Sequence, residues 1–390
     1  MNPCRLCCEN KVELLIDFGQ QPIVHHLLSD KEDAYLQYPF QIGYCSNCSF
    51  LQLLFPISGD VLYENYFSVS SWKNQPHVER LVDVMQSIAG INGHSNVLEI
   101  GCNDGSFIDV LSNRGIVNCT GIEPSRDAYD LAVAKGLNVH NTFFTIANCD
   151  SMLNAKNYDM IVCRHVLEHI SDLHTFLEAV EYYLDDQGTF VIEIPDSSFN
   201  LEYMDYALWE EHVNYFTLRT VRNLLRKHGF RIVHHETTLF SGRALIVFAQ
   251  KQVRQSDYTY ITADLEDIKT YGKNWKNFSQ RMHDFVSSKK KVVIYGCGSR
   301  SSTFVNLLGL EGIRCYIDDQ KEKQNYYVPK SKLQILPWSD SWSDAFFLLG
   351  VNSENERKVL RRREINSNHI ASILPPSSFI PEFWKELYND

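Results

Sequence analysis

An α/β protein with parallel sheets in more than one domain is what this sequence predicts, and three observations carry the expectation. Its 390 residues are long enough for two or three buried cores. From Asn96 onward, short apolar runs alternate with helical patterns, the mark of βαβ units and a parallel sheet covered on both faces. A second strand–glycine–helix unit opens at "KKVVIYGCGSRSSTFVNLLG", long after the first has ended. No period of about 20 to 50 residues recurs, which excludes a solenoid.

Bulk properties narrow the function class. The formal charge is −11, from 37 Lys+Arg against 48 Asp+Glu, with no long basic run. Duplex nucleic acid held through many phosphates is therefore a poor partner, and a small molecule fits better. No stretch approaches the roughly 20 apolar residues of a membrane span, and no basic-then-apolar leader opens the chain. A cytoplasmic protein without a membrane partner is expected. Eleven cysteines, several inside apolar runs, suit reduced thiols.

The first segment differs from the rest. Cys4-Arg5-Leu6-Cys7 and Cys45-Ser46-Asn47-Cys48 are two Cys-x-x-Cys knuckles joined by a polar linker that reads as poor in strand. Such knuckles present four thiolates tetrahedrally to Zn²⁺ at about 2.3 Å, and the metal replaces a core the segment is too short to build. Cys4, Cys7, Cys45 and Cys48 are the expected ligands of a closed, structural site. The next stretch, "YENYFSVSSWKNQPH", reads as a loop running into a helix near His77, with Tyr66 and Ser68 as hydroxyls available to a substrate pocket.

"NVLEIGCNDGSF" is then a strand entering a glycine turn, "FIDVLSNRG" a helix, and "NCTGIEPS" a second strand ending on Glu123. "YDMIVCRHVLEHI", "HTFLEAVEYYL" and "GTFVIEIP" continue the alternation. Ligands of such sheets sit at the carboxyl ends of the strands. The turn Glu99-x-Gly101-x-Asn103-x-Gly105 departs from the G-x-G-x-x-G spacing that meets a pyrophosphate, and it carries acids. An acidic turn repels pyrophosphate but tolerates a sulfonium zwitterion.

"VLEIGCNDG", "GIEPS" and "VCRHVLEHI", in that order, resemble the successive motifs of class I S-adenosylmethionine-dependent methyltransferases. Together with the cysteine knuckles, "EEHVNYFT" and the C-terminal unit, the chain resembles the three-part C-methyltransferases that act on nucleotide-linked keto-deoxysugars. The resemblance implies a zinc-binding domain over 1–70, a class I Rossmann-like core over 71–252 and a Rossmann-like substrate-binding domain over 253–390. It implies that Glu99, Gly101, Asn103 and Gly105 contact the methionine part of the cofactor. Glu123 would take the ribose, and Arg164 and His165 would border the adenine or sulfonium. Glu168 and His169 read instead as helix-face residues that cap or pack.

Carbon methylation needs a carbon nucleophile, which a base can make beside a ketone because the conjugate base is an enolate. By resemblance, His212 is that base and Glu211 its partner, while Asn214 and Tyr215 could donate hydrogen bonds to the enolate oxygen. The competing reading has His212 cap the helix that begins near Thr217. In the C-terminal unit Gly298, Ser299 and Lys323 are candidate contacts for the nucleotide end of the substrate. Two departures from the family stand out: Trp209 where a tyrosine is usual, and Arg243 displaced within "FSGRALIVF". An O- or N-methyltransferase on another precursor is the alternative.

Overall fold

The computed structural model describes residues 3–62, 75, 77–254 and 259–389, so Tyr66 and Ser68 lie outside the described residues. At its centre is a seven-stranded sheet. Its order is Phe230–Thr238, Ala244–Lys251, Leu184–Pro195, Tyr158–Arg164, Asn96–Ile100, Asn118–Ile122, Val139–His140. The last five run parallel, and the first two form an antiparallel extension on Leu184–Pro195. Leu98, Ile161, Val162 and Val191 show essentially no exposure, as strands covered on both faces require. The Asn96–Ile100 strand lies at the switch point, where the chain first builds outward through Asn118–Ile122 and then returns to add Tyr158–Arg164 on the other side.

The polar linker between the cysteine knuckles is not poor in strand. Val12–Gln21 and Tyr38–Cys45 pair antiparallel across it, with breaks in register at Leu14/Ile16 and Asp17/Gln20. Those irregularities erase the period-two pattern by which a half-buried strand is recognised. Leu51–Leu53 continues this sheet, and its fourth strand is Asn214–Tyr215, contributed from far along the chain. The cysteine-knuckle segment and Asn214–Tyr215 of the "EEHVNYFT" segment thus share one sheet.

The third unit is a parallel sheet in the order Ile335–Leu336, Ile313–Ile317, Val292–Tyr295, Phe346–Leu349, Ile370–Ser372. A helix, Leu265–Ser287, precedes it. One apolar cluster joins all parts: Ile42 and Leu53 of the first sheet, Tyr206 and Val213 of the central segment, and Phe278, Phe304 and Trp384 of the third unit. The Tyr206 hydroxyl donates to the Tyr271 carbonyl at 2.8 Å and the Tyr271 hydroxyl to the Asp205 carbonyl at 2.8 Å, so this junction is also held by reciprocal hydrogen bonds. No helix among the described residues is long and apolar enough to cross a membrane.

Candidate active site

A cleft of ≈ 2080 Å³ runs from the carboxyl ends of the central strands to the third unit. Gly101, Glu123, Arg164, His212, Gly298 and Lys323 all line it. The sequence candidates from both Rossmann-like units therefore face one space.

At its first end the strand Asn96–Ile100 delivers the chain into a turn where Gly101 has φ 70°, Asn103 φ 51° and Gly105 φ 76°. A Cβ on Gly101 would sit 2.5 Å from Val166 Cγ2, so only glycine lets the turn close against the third motif. Glu123 ends the second strand and accepts from Asn103 N at 2.8 Å and Ser125 N at 2.7 Å. Its carboxylate fixes the turn and keeps further lone pairs for a hydroxyl. Glu99 is buried; desolvation pushes it up to about 8, and its Oε2 has no hydrogen-bond partner among the described residues. An orphaned buried carboxyl beside a glycine turn suits the ammonium of a zwitterionic amino acid.

Arg164 and His165 line the cleft, with their polar atoms engaged by neighbouring side chains. Arg164 Nε donates to Glu193 at 2.7 Å, its guanidinium lies 4.6 Å from the Phe107 ring, and Nη2 donates to Gln75. His165, with φ 54°, sits 3.3 Å from Glu193 and 3.5 Å from Glu168. Burial lowers its proton affinity, but the two carboxylates outweigh burial and hold it near about 9. Glu193 also takes His77 at 2.7 Å; burial alone would raise it, but Arg164 and the histidines hold it well below the usual carboxylate range. Sequence reading missed Glu193, whose only signal is an acid at the end of the otherwise apolar run "TFVIEIP".

In the middle of the cleft lies the segment from Leu208 to Thr217. His212 does not cap the next helix: Thr217 does, accepting from Thr220 N while Thr220 Oγ1 accepts from Thr217 N. The His212 ring instead meets His169 edge-on at 5.0 Å and Trp209 at 5.1 Å. Burial, then the neighbouring His169, pull it down to about 3, so it is unprotonated at neutral pH. Glu168 and His169 also correct the sequence reading. They occupy a short 3-10 turn, Leu167–His169, rather than a helix face, and they line the cleft beside His212.

Glu211 turns elsewhere. Its carboxylate lies 3.0 Å from His25 Nδ1, and His25 Nε2 donates to the Leu62 carbonyl at 3.1 Å. Both ring nitrogens of His25 face acceptors; burial lowers its proton affinity, but Glu211 outweighs burial and raises it. Asn214 Nδ2 is committed to the carbonyls of Leu167 at 3.2 Å and Ile170 at 2.7 Å, and the Tyr215 hydroxyl to the Trp209 carbonyl at 3.0 Å. Their donors are taken up by the backbone, which corrects the expectation that they serve an enolate oxygen. They shape the segment that presents His212.

The cysteine cluster supports that segment from behind. Cys4, Cys7, Cys45 and Cys48 are buried, with their sulfurs all within 4.8 Å of one another. The donor set fits a tetrahedral Zn²⁺ with no open position. Between two of them, Arg5 donates to the carbonyls of Leu53 at 2.8 Å and Val213 at 3.0 Å, gripping the residue next to His212.

At the far end, Gly298 caps the Ser299–Leu308 helix, and Lys323 Nζ donates to the Cys297 carbonyl at 3.0 Å. Asp318 accepts from Cys297 N at 2.7 Å, tying the turn to the neighbouring strand. Arg300, Lys358 and Arg362 add positive charge to this wall, though Arg300 is paired with Asp205 and Arg362 with Asp319.

Comparison with known proteins agrees with this geometry. Residues 72–235 match a family model described as a methyltransferase domain, residues 4–63 one described as a zinc binding domain, and residues 250–354 one described as a C-methyltransferase C-terminal domain. With the glycine turn and its acids on a class I Rossmann-like sheet, the chain is an S-adenosylmethionine-dependent methyltransferase. The C-terminal match and a likeness along nearly the whole chain both point to C-methylation. The C-methyltransferase NovU of Streptomyces niveus is 25% identical over 394 residues, spanning 92% of this chain and 93% of that protein. A ubiquinone biosynthesis O-methyltransferase of Haemophilus ducreyi is 27% identical over 99 residues, spanning 24% of this chain and 42% of its own. Among solved structures, the 1,6-didemethyltoxoflavin-N1-methyltransferase of Burkholderia thailandensis aligns with a TM-score of 0.41 at 16% identity, covering 53% of this chain and 96% of that one.

Proposed function

We propose that this methyltransferase forms a carbon–carbon bond next to the ketone of a nucleotide-linked deoxysugar, with His212 as general base. The observation that carries the reading is one cleft that begins at the Glu99–Gly105 turn, passes His212 and ends at Gly298 and Lys323. That length suits a donor at one end, a sugar in the middle and a charged nucleotide at the other. The likeness to NovU and the C-methyltransferase C-terminal domain support carbon as the acceptor. Bound S-adenosylmethionine supplies an electrophilic methyl group on sulfur.

The residues then divide the work. Glu99, Gly101, Asn103 and Gly105 receive the amino-acid part of the donor, and Glu123 its ribose. His212, neutral at working pH, accepts the proton from the carbon beside the ketone. So depressed a proton affinity makes it a weak base by itself, and the buried Glu168 carboxylate beside it stabilises the imidazolium as it forms. Glu211 and His25 hold the segment against Leu62, the last residue of the short Gly59–Leu62 helix. Gly298, Ser299 and Lys323, with the nearby cations, receive the nucleotide. Zn²⁺ on the four cysteines is structural. We assign the three parts to 1–70, 71–252 and 253–390, and place the enzyme in a reducing cytoplasm, where its eleven cysteines stay unpaired by disulfides.

The test compares wild type with His212→Ala on nucleotide-linked 4-keto-6-deoxyhexoses. Loss of methyl transfer with donor affinity retained supports the reading; methylation surviving in His212→Ala overturns the assignment of the base.

A further inference from the structure

Glu168, His169 and His212 each offer one ligand atom within 4.8 Å of the others. We infer that this trio is a second metal site, for a divalent first-row transition ion such as Zn²⁺ or Co²⁺, and that an ion seated there blocks catalysis. The blocking rests on the proposed role of His212, since coordination takes the lone pair the base needs; the binding does not.

Four features of the cluster point to an ion. Two imidazoles and a carboxylate are a donor set suited to Zn²⁺ and its neighbours. His169 has the outer contact such ligands usually have: its Nδ1 lies 3.0 Å from the Glu211 carbonyl, which can only accept, so Nδ1 carries the proton and Nε2 the free lone pair. Glu168 is 1% exposed, and among the described residues the one ion-pair partner of its carboxylate is His165 at 3.5 Å, the long limit of a hydrogen bond. A buried carboxylate with that much unused acceptor capacity is unusual in a finished core. All three residues line the cleft, so an ion can enter and keep an outward position for water.

The backbone also holds the ligands together. Val213 N donates to the Glu168 carbonyl at 2.9 Å, and Asn214 reaches the carbonyls of Leu167 and Ile170 on the other side. The turn carrying two ligands is thereby clamped to the segment carrying the third. Tetrahedral coordination at about 2.1 Å needs ligand atoms roughly 3.4 Å apart, a contraction that side-chain rotation supplies.

Cobalt makes the site visible. Protein whose cysteine cluster is filled with Zn²⁺ is titrated with Co²⁺ while visible absorption and methyl transfer are followed. The expected result is one further equivalent bound, with a d–d band but no thiolate charge-transfer band, and a rate that falls in step with occupancy. His169→Ala and Glu168→Gln should each weaken that binding more than about tenfold while still binding S-adenosylmethionine, which reports that they fold. No further equivalent, a band kept in both variants, or thiolate charge transfer alone overturns the site. A filled site with an unchanged rate overturns the blocking. Stoichiometry is measured without any acceptor, so the metal site stands or falls independently of whether the methyl group goes to carbon.

Discussion

Gly101→Ala puts the cofactor turn to a quantitative test. Gly101 has φ 70°, and an added Cβ would lie 2.5 Å from Val166 Cγ2. The left-handed conformation costs an L-residue about 1–2 kcal/mol, and forcing a methyl into a packed contact costs about 1–3 kcal/mol. The substitution should therefore destabilise by about 2–5 kcal/mol in denaturant unfolding. It should also weaken S-adenosylmethionine binding at least tenfold by calorimetry, because the turn must move off Val166 and out of its cradle. Adding Val166→Ala removes the steric part and leaves the conformational part, so the double variant should recover about 1–3 kcal/mol. A Gly101→Ala protein with both stability and donor affinity unchanged would refute the reasoning. A double variant no better than the single one would refute the assignment of the clash.

Stripping Zn²⁺ from the cysteine cluster should unfold the first sheet and, through Arg5, loosen the His212 segment. Arg5→Ala with the metal retained should reproduce the loss of methyl transfer without the loss of the sheet, measured by rate and by circular dichroism. Stability should fall in acid through His228, which burial and then His174 pull down to about 4 from the usual 6.5. Between those values the unfolded chain binds a proton the native state refuses, so stability drops by at most about 1.4 kcal/mol per pH unit as pH falls from about 6.5 to 4. His228→Asn should flatten that part of the pH–stability curve. His25→Gln should keep Nε2-like donation but lose the Nδ1 contact with Glu211, and the predicted readout is a lower kcat with donor affinity unchanged.

The parallel strands were legible because burial on both faces leaves continuous apolar runs, as in "NVLEI" and "KKVVIY". The cysteine spacing and the glycine turn were legible because the chemistry fixes residue type and separation locally. The first sheet was not, since bulges break its alternation and its last strand, Asn214–Tyr215, comes from the segment that follows His212. The site was readable as a set of residues but not as a set of partners. Glu211 and His212 are adjacent in sequence, yet Glu211 pairs with His25. Glu193 gathers His77 from the start of one helix and Arg164 and His165 from the end of a neighbouring strand, a convergence no local pattern announces. Glu168 and His169 looked like a helix face because "VLEHI" has helical spacing, whereas the chain makes one tight turn there and puts both into the cleft.

The central claim is methyl transfer to carbon beside a ketone, started by proton removal at His212. Its most direct test is an incubation with S-adenosylmethionine carrying ¹³C in the methyl group and a nucleotide-linked 4-keto-6-deoxyhexose, read by carbon NMR. The expected product carries a labelled methyl with one-bond carbon–carbon coupling to the ring position next to the carbonyl. A label with the chemical shift of an O- or N-methyl group and no such coupling would contradict it.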